Sequence, residues 1–198
     1  EILRRISERF GTEIVEKTLH LIKSSHRFNQ KLLYDGGRQH LKFDHSRKDV
    51  GLDKLDIALI KQLVGDGRKR IVDVANELGK DAQMITYRLR KLREKGVVVA
   101  FQPMVEYTKL GYQLVLLDFV LTDSTKTSAI LEFFDSSRIC LTAYELSGTF
   151  DLSLELYVED NTHLRRVLEE FKTRFYDDYY SYEVSAIFSD EITNWSPF

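Results

Sequence analysis

The 198-residue sequence predicts an α+β protein, in which a winged helix-turn-helix is followed by a ferredoxin-like βαββαβ domain and preceded by one helix and one strand. Three short amphipathic helical patterns fill residues 53–96, which favours the helix-turn-helix. Strand and helix patterns alternate in the order βαββαβ over residues 111–188, and the charge changes sign between the two regions.

The net charge of −2 hides an uneven distribution. Residues 1–52 and 53–96 each carry a net charge of +4, whereas residues 110–198 carry −10. A basic part joined to an acidic part predicts a polyanion-binding module beside a module with another role, because carboxylates oppose phosphate binding. The alternative is that both charge blocks are solvated faces with no partner.

Several classes of protein are disfavoured by the sequence. No apolar run reaches the ~18 residues of a membrane helix, and the charged first residues are unlike a signal peptide. Cys140 is the only cysteine, so neither an internal disulfide nor a cysteine zinc cluster can form. The histidines lack paired ligand spacing: His20, His26, His40, His45 and His163. We expect no metal, no cofactor, no membrane partner and a cytoplasmic location.

The first 51 residues precede the helix-turn-helix. Apolar residues at four-residue spacing, closed by Gly11, predict the end of a helix over residues 1–11: Ile2, Ile6 and Phe10. Alternating β-branched residues predict a strand over 14–22. Residues 23–51 are polar and predict a linker with a hairpin at Asp35-Gly36-Gly37.

Residues 3–22 resemble residues 168–187 in sequence and in helix–strand order. The identical pairs are Leu3 and Leu168, Arg9 and Arg174, Phe10 and Phe175, and Ile22 and Ile187. We interpret residues 1–22 as the end of an upstream βαββαβ domain, whose sheet would come from missing upstream residues, a second polypeptide or a partner subunit. The alternatives are coincidence, or docking on the helix-turn-helix as an extra helical cap.

The predicted DNA-binding domain spans residues 52–102. Its first helix begins after Asp53 and its third after Asp81, and both carboxylates are good N-caps. The third helix directs Ile85, Leu89 and Leu92 inward, which leaves an exposed face of Gln83, Thr86, Tyr87, Arg90 and Lys91. Such side chains can contact base edges and phosphates in a major groove. Residues 97–101 are β-prone and predict one arm of a wing.

Further cations complete the predicted DNA-binding set. Arg68, Lys69 and Arg70 stand directly before the second helix, where they can hold the phosphate backbone, and Arg88 of the third helix is included. The alternative is a small helical bundle with a basic solvated face.

After a hinge at 103–110, residues 111–198 form the second predicted domain. Strands are expected at 112–121, 139–146, 152–158 and 180–188, with helices at 126–134 and 162–175. Because one sheet face carries no helix and strand 114–117 is apolar throughout, we expect a homodimer through residues 111–188.

The motifs resemble those of the Lrp/AsnC (feast/famine) transcription regulators. The resemblance lies in Leu52-Asp53-Lys54-Leu55-Asp56-Ile57, Asp66-Gly67-Arg68, Leu78-Gly79, residues 85–88, residues 92–97, Phe101-Gln102-Pro103, Leu110-Gly111-Tyr112 and Ser147-Gly148-Thr149-Phe150-Asp151. It covers about residues 52–188. Asp81 departs from the Ser or Thr usual in the family, and residues 1–50 have no counterpart in a simple member.

The resemblance implies a DNA-binding regulator with a RAM-type βαββαβ domain that dimerises or assembles further. It also implies an amino-acid-like effector bound between subunits near the glycine–aspartate turn, at Ser147, Gly148, Thr149 and Asp151. The alternative at this turn is purely structural, with glycine required by a tight hairpin and Asp151 satisfying local amides. Sirohaem decarboxylases resemble the same family, but residues 144–149 contain no histidine; this enzyme is the alternative function.

Overall fold

The computed structural model describes residues 2–14, 18–28, 40–45, 50–103 and 105–188. These residues form two compact units. One unit contains the N-terminal residues up to 46 together with residues 106–188, and the other is built around residues 50–105. The N-terminal segment therefore belongs with the βαββαβ domain rather than with the helix-turn-helix.

The helix-turn-helix unit contains the three predicted helices: α2 (Lys54–Gly65), α3 (Ile71–Glu77) and α4 (Ala82–Glu94). Asp53 caps α2, since its carboxylate accepts the Asp56 N–H at 2.8 Å while the Asp56 carboxylate accepts the Asp53 N–H at 3.3 Å. The helices share one core, and its most deeply buried members are Leu59, Val74, Ile85 and Leu92. The predicted helix-turn-helix is thus confirmed.

The predicted wing arm at residues 97–101 was wrong as a strand, because no residue from 97 to 101 has strand structure. The backbone N–H groups of Val97 and Val98 both donate to the Leu92 carbonyl, at 2.9 and 3.2 Å, and so close the end of α4. Both valine side chains are partly buried against the helical core. Their apolar, β-branched character therefore serves packing rather than strand pairing.

The second unit contains a six-stranded antiparallel sheet in the order β2-β1-β4-β5-β3-β6, in which β1 is Leu21–Arg27 and β2 is Leu41–Asp44. Four strands and two helices form the predicted βαββαβ order: β3 (Gln113–Leu121), α5 (Thr127–Ser136), β4 (Cys140–Ser147), β5 (Leu152–Val158), α6 (Asn161–Arg174) and β6 (Tyr179–Ile187). Each lies within about two residues of its predicted position. The predicted α+β fold class is confirmed.

The helices α5 and α6 pack on the same face of the sheet. The rings of Phe134 from α5 and Phe171 from α6 lie 5.3 Å apart, and both contact the ring of Phe119 on β3. All three side chains are fully buried. On β5, every second residue from Leu152 to Val158 is buried in this core, so the intervening side chains face the opposite side of the sheet.

Two further strands, which precede the helix-turn-helix in the sequence, extend the sheet. The structure contains β1 at Leu21–Arg27 and β2 at Leu41–Asp44. β1 pairs antiparallel with both β2 and β4. The strand prediction at 14–22 was therefore displaced. The linker at 23–51, for which a hairpin was predicted, contains most of β1 and all of β2, and these two strands pair antiparallel. The predicted hairpin turn at Asp35-Gly36-Gly37 lies outside the described residues.

The internal repeat stays a prediction: its helix is present, but its strand is displaced. α1 (Ile2–Phe10) is helical, as the match with the end of α6 requires. However, the equivalent of β6 would begin at residue 14, whereas β1 begins at Leu21 and lies beside β4 rather than beside β3. The sheet that receives β1 belongs to this chain's own βαββαβ domain, which corrects the expectation of an upstream or partner sheet.

A polar cluster joins β1 to β4 around the carboxylate of Glu145. Its Oε1 accepts a hydrogen bond from Ser24 Oγ at 2.7 Å and lies 2.7 Å from His26 Nε2 and 2.9 Å from Lys42 Nζ. His26 Nδ1 in turn lies 2.8 Å from His40 Nε2. Ser24 and His26 are buried although they are polar. β1 is therefore held by hydrogen bonds where an ordinary strand would use apolar contacts.

The cluster shifts two pKa values. Burial alone would raise the pKa of Glu145, but hydrogen bonds from Ser24, Lys42 and His26 outweigh it and lower that pKa from 4.5 to about 2. Burial lowers the pKa of His26 below its ordinary 6.5, against the opposing effect of Glu145. In both cases the folded arrangement favours the deprotonated group.

We therefore expect the backbone amides of β1 to lose protection from hydrogen exchange as the pH falls. A group with a depressed pKa stabilises the structure above its unfolded pKa, so the stabilisation by His26 declines below pH 6.5 and that by Glu145 between pH 4.5 and about 2. Hydrogen exchange of the 21–27 amides, corrected for intrinsic rates, should accelerate over this range relative to β5.

Glu145→Gln should lower protection of β1 at pH 7 and remove the acid dependence between pH 4.5 and 2. Glu132→Gln, at an exposed position of α5, is the matched control and should keep the wild-type profile. Identical profiles for wild type and Glu145→Gln would contradict the assigned role of the cluster.

Candidate nucleic-acid interface

The orientation of α4 is determined by its cap and its buried side chains. The carboxylate of Asp81 accepts the N–H groups of Gln83 at 2.6 Å and Met84 at 3.4 Å, so the helix begins at Ala82. Ile85 and Leu92 are 0% and 1% exposed. Because a helix advances about 100° per residue, their burial directs the opposite face of α4 to solvent.

This exposed face carries the polar side chains expected there. Tyr87 is half exposed, and its ring has the Arg90 guanidinium 5.4 Å and the Lys91 ammonium 5.8 Å from its centroid. Glu94 pairs with Lys91 at 2.8 Å and lies 3.7 Å from Arg90. The Thr86 hydroxyl donates to the Ala82 carbonyl at 2.8 Å. The structure thus brings Gln83, Thr86, Tyr87, Arg90 and Lys91 onto one surface.

Arg88 differs from the other predicted DNA contacts. Its Nη1 donates to Asp56 Oδ1 at 3.2 Å and also to Asp53 Oδ2. The backbone N–H of Asp56 and the Arg88 guanidinium together lower the pKa of Asp53. Because Asp56 is 6% exposed, Arg88 neutralises a carboxylate that is almost fully removed from water. Arg88 therefore ties α4 to the start of α2, a role that the sequence analysis missed.

The three basic residues before α3 have different surroundings. Lys69 Nζ lies 2.6 Å from Gln62 Oε1 and 2.5 Å from Glu77 Oε2, and Arg70 makes a two-pronged contact with Asp73 at 2.8 and 2.9 Å. Arg68 is exposed, and within the described residues its guanidinium has no ion pair. Of the three, Arg68 is the cation most available to a phosphate.

The predicted effector turn is covered by the N-terminal segment. Gly148 has φ +152°, and a Cβ at this position would lie 2.8 Å from the Leu19 carbonyl oxygen and 2.9 Å from His20 Nδ1. The His20 ring stacks on Phe150 with a centroid separation of 5.4 Å. Glycine is thus required both by the backbone conformation and by the close approach of residues 19 and 20.

The remaining residues of the turn take part in the sheet. Ser147 is the register partner of Leu21 on β1. The Asp151 carboxylate accepts the Leu121 N–H at 2.9 Å, and the Asp151 N–H donates to the Phe119 carbonyl at 2.8 Å. These contacts agree with the structural role that was predicted for the turn as the alternative to effector binding. An effector role for Ser147, Gly148, Thr149 and Asp151 stays a prediction.

Within residues 2–14, 18–28, 40–45, 50–103 and 105–188, no group of three or more His, Cys, Asp or Glu residues is arranged to hold a metal ion. None of the helices in those ranges combines the length and the apolar character that crossing a membrane requires.

Comparison with known proteins agrees with this geometry. Residues 52–99 match the family model for winged helix-turn-helix DNA-binding domains. The HTH-type transcriptional regulator FL11 of Pyrococcus horikoshii is 27% identical over 120 residues, which cover 61% of this chain and 80% of that protein.

Solved structures share the fold. AsnC of E. coli superimposes with a TM-score of 0.62 at 21% identity, covering 72% of this chain and 96% of that one. The Neisseria meningitidis regulator NMB0573, which was solved as an L-Met complex, superimposes with a TM-score of 0.60 at 16% identity. The match covers 74% of this chain and 96% of that one.

The chain thus contains a winged helix-turn-helix, which the family model matches, and a βαββαβ domain whose fold it shares with AsnC. The HTH-type transcriptional regulators among its relatives and the fold shared with AsnC agree with the predicted resemblance to Lrp/AsnC regulators. The sirohaem decarboxylase alternative has no support from the comparisons.

The ion pair of Arg88 leads to a stability prediction. Arg88→Ala should lower the urea midpoint of the helix-turn-helix unit, because the buried Asp56 carboxylate then loses its cation. Lys61→Ala, at an exposed position of α2, should change the free energy of unfolding by no more than about 0.5 kcal/mol. Equal urea midpoints for the two variants would show that Arg88 does not stabilise the unit.

Proposed function

We propose that the chain binds duplex DNA sequence-specifically, with the exposed face of α4 in the major groove, and regulates transcription from those sites. The observation that carries this proposal is that the apolar and the polar side chains of α4 lie on opposite faces of the helix. Ile85 and Leu92 are buried, while Gln83, Tyr87 and Arg90 lie together on the solvent side. Their donors match base edges that a protein reads in the major groove.

Individual roles follow from side-chain chemistry. The amide of Gln83 can bond the N6 and N7 groups of adenine, and the guanidinium of Arg90 can bond O6 and N7 of guanine. The Tyr87 ring beneath Arg90 restricts the directions that the guanidinium can take. Arg68 contacts phosphate, which fixes position without carrying sequence information.

A second copy of the chain is the proposed partner. The side of the sheet opposite α5 and α6 carries Leu116 and Tyr157, which are only partly buried in the single chain. Burial of such side chains favours association of two sheets. Two α4 helices would then meet two half-sites. Light scattering at micromolar concentration should give a dimer as the smallest species, and a monomer would contradict the proposed partner.

We also propose that the regulatory domain senses a small amino-acid-like molecule at the turn of residues 147–151. The support is the resemblance of this turn to the family's glycine–aspartate turn, together with the relative solved with L-Met. Because Leu19 and His20 cover Gly148, an effector that reaches this turn must displace them. Effector binding and detachment of residues 19–20 are therefore coupled in the proposal.

Arg90→Ala should weaken binding to a duplex selected from a random pool by about 1–3 kcal/mol, or roughly 5- to 150-fold in Kd. The loss should be largest at one guanine position, because a single guanidinium reads one base pair. Arg165→Ala, an exposed arginine on α6, is the control and should bind like the wild type. Unchanged affinity of Arg90→Ala would contradict the assignment of α4.

The effector proposal predicts a ligand-dependent change at the turn. A panel of amino acids should contain one that raises the melting temperature and increases hydrogen exchange of residues 18–22. Gly148→Ala should increase exchange of the same residues without any ligand, because its Cβ would overlap the Leu19 carbonyl. Ligand binding that leaves exchange of residues 18–22 unchanged would contradict a site at this turn.

A further inference from the structure

A groove of about 480 Å³ lies between α3 and α4, on the surface that the proposed function assigns to DNA. Most of its lining is apolar, with Ile71 and Val72 from α3 on one side and Ala82, Thr86 and Tyr87 from α4 on the other. Gln83 and Arg90 complete the rim. Both helices belong to the same compact unit. The groove is therefore a feature of the helix-turn-helix itself.

The apolar character of this groove is unusual for a phosphate-binding surface. Val72 is 56% exposed, although it lies beside a basic segment, and Tyr87 is half exposed. Phosphate contact requires donors, which the side chain of Val72 lacks. Valine is also a weak helix former, so an exposed position in α3 gains nothing from it in local stability. The side chain of Val72 is therefore better suited to an apolar partner than to DNA backbone.

Thr86 adds to the apolar surface despite its hydroxyl group. Its Oγ1 donates to the Ala82 carbonyl at 2.8 Å, so the hydroxyl proton is already used within α4. The side chain then offers its methyl group, but no donor, to a ligand in the groove. The Tyr87 ring contributes an aromatic surface, and the guanidinium of Arg90 lies against that ring.

We propose that this groove receives the C5-methyl group of a thymine, so that Val72 and Thr86 require a thymine at one position of each half-site. This inference rests on the proposed function. The thymine methyl is the apolar group that base pairs present in the major groove, and the neighbouring edges are polar. The rim donors Gln83 and Arg90 face those edges, and the net charge of +4 over residues 53–96 complements the DNA backbone.

Replacement of thymine by deoxyuridine removes one methyl group and leaves every hydrogen-bonding group in place. Burial of one such carbon contributes about 0.8 kcal/mol, which corresponds to about a fourfold change in Kd. The full chain is first used to select a duplex from a random pool. Each thymine of that duplex is then replaced singly by deoxyuridine, and Kd is measured at constant salt.

Wild-type protein should lose about fourfold affinity at one thymine per half-site and less than twofold at the others. Val72→Ala should bind the thymine duplex more weakly and should no longer distinguish it from the deoxyuridine duplex. Val64→Ala is the matched control, because Val64 is an exposed valine on α2, and it should keep the full distinction. Circular dichroism should show the same helix content for both variants.

The possible failures are distinguishable. If no duplex is enriched over random DNA, the proposed function is wrong and the inference falls with it. If a duplex is enriched but no deoxyuridine position costs more than twofold, the thymine inference alone is overturned. The inference is also overturned if Val72→Ala keeps the same fourfold distinction as the wild type.

Discussion

Burial of Ile85 and Leu92 against Leu59 and Val74 is the constraint on which the DNA-binding surface depends. These contacts fix the rotation of α4 about its own axis, so that Gln83, Thr86 and Tyr87 reach solvent together. The Asp81 cap fixes where the helix begins, and the ion pairs of Arg88 with Asp53 and Asp56 tie it to α2.

Without this core, the side chains that are proposed to contact DNA would no longer be held on one surface, even if every one of them were kept. Specificity in this account is a consequence of apolar packing on the opposite side of the same helix. The basic charge of the region favours association with DNA in general, whereas the rotation of α4 decides which groups meet the bases.

The unit that contains the sheet depends on a different kind of contact. Its βαββαβ core is apolar and aromatic, with Phe119 and Phe171 at the centre, but β1 is attached through Ser24, His26 and Glu145. Hydrogen bonds of this kind are sensitive to protonation, and apolar contacts are not. The same strand carries the chain to Leu19 and His20 at the Gly148 turn. The proposed effector site and the polar cluster are consequently two ends of one segment.

The helices of the helix-turn-helix and the βαββαβ order were predictable, because apolar periodicity reports directly on burial. β1 was misplaced because its buried residues include Ser24 and His26, which a hydropathy pattern assigns to the surface. The strand expected at residues 97–101 is absent because the N–H groups of Val97 and Val98 bond to the end of α4 instead of to a strand. The sequence alone also could not show that Arg88 and Arg90 differ in role. Arg88 is held by two carboxylates, whereas Arg90 is exposed.

The most direct test of the account compares hydrogen exchange and side-chain labelling of the full chain with and without its selected duplex. The account predicts that DNA protects the segment before α3 and the N-terminal half of α4, including Arg68 and Tyr87, while β3 and β5 remain unchanged. Protection confined to the regulatory sheet, with α4 unaffected by the duplex, would contradict the claim that the exposed face of α4 reads DNA.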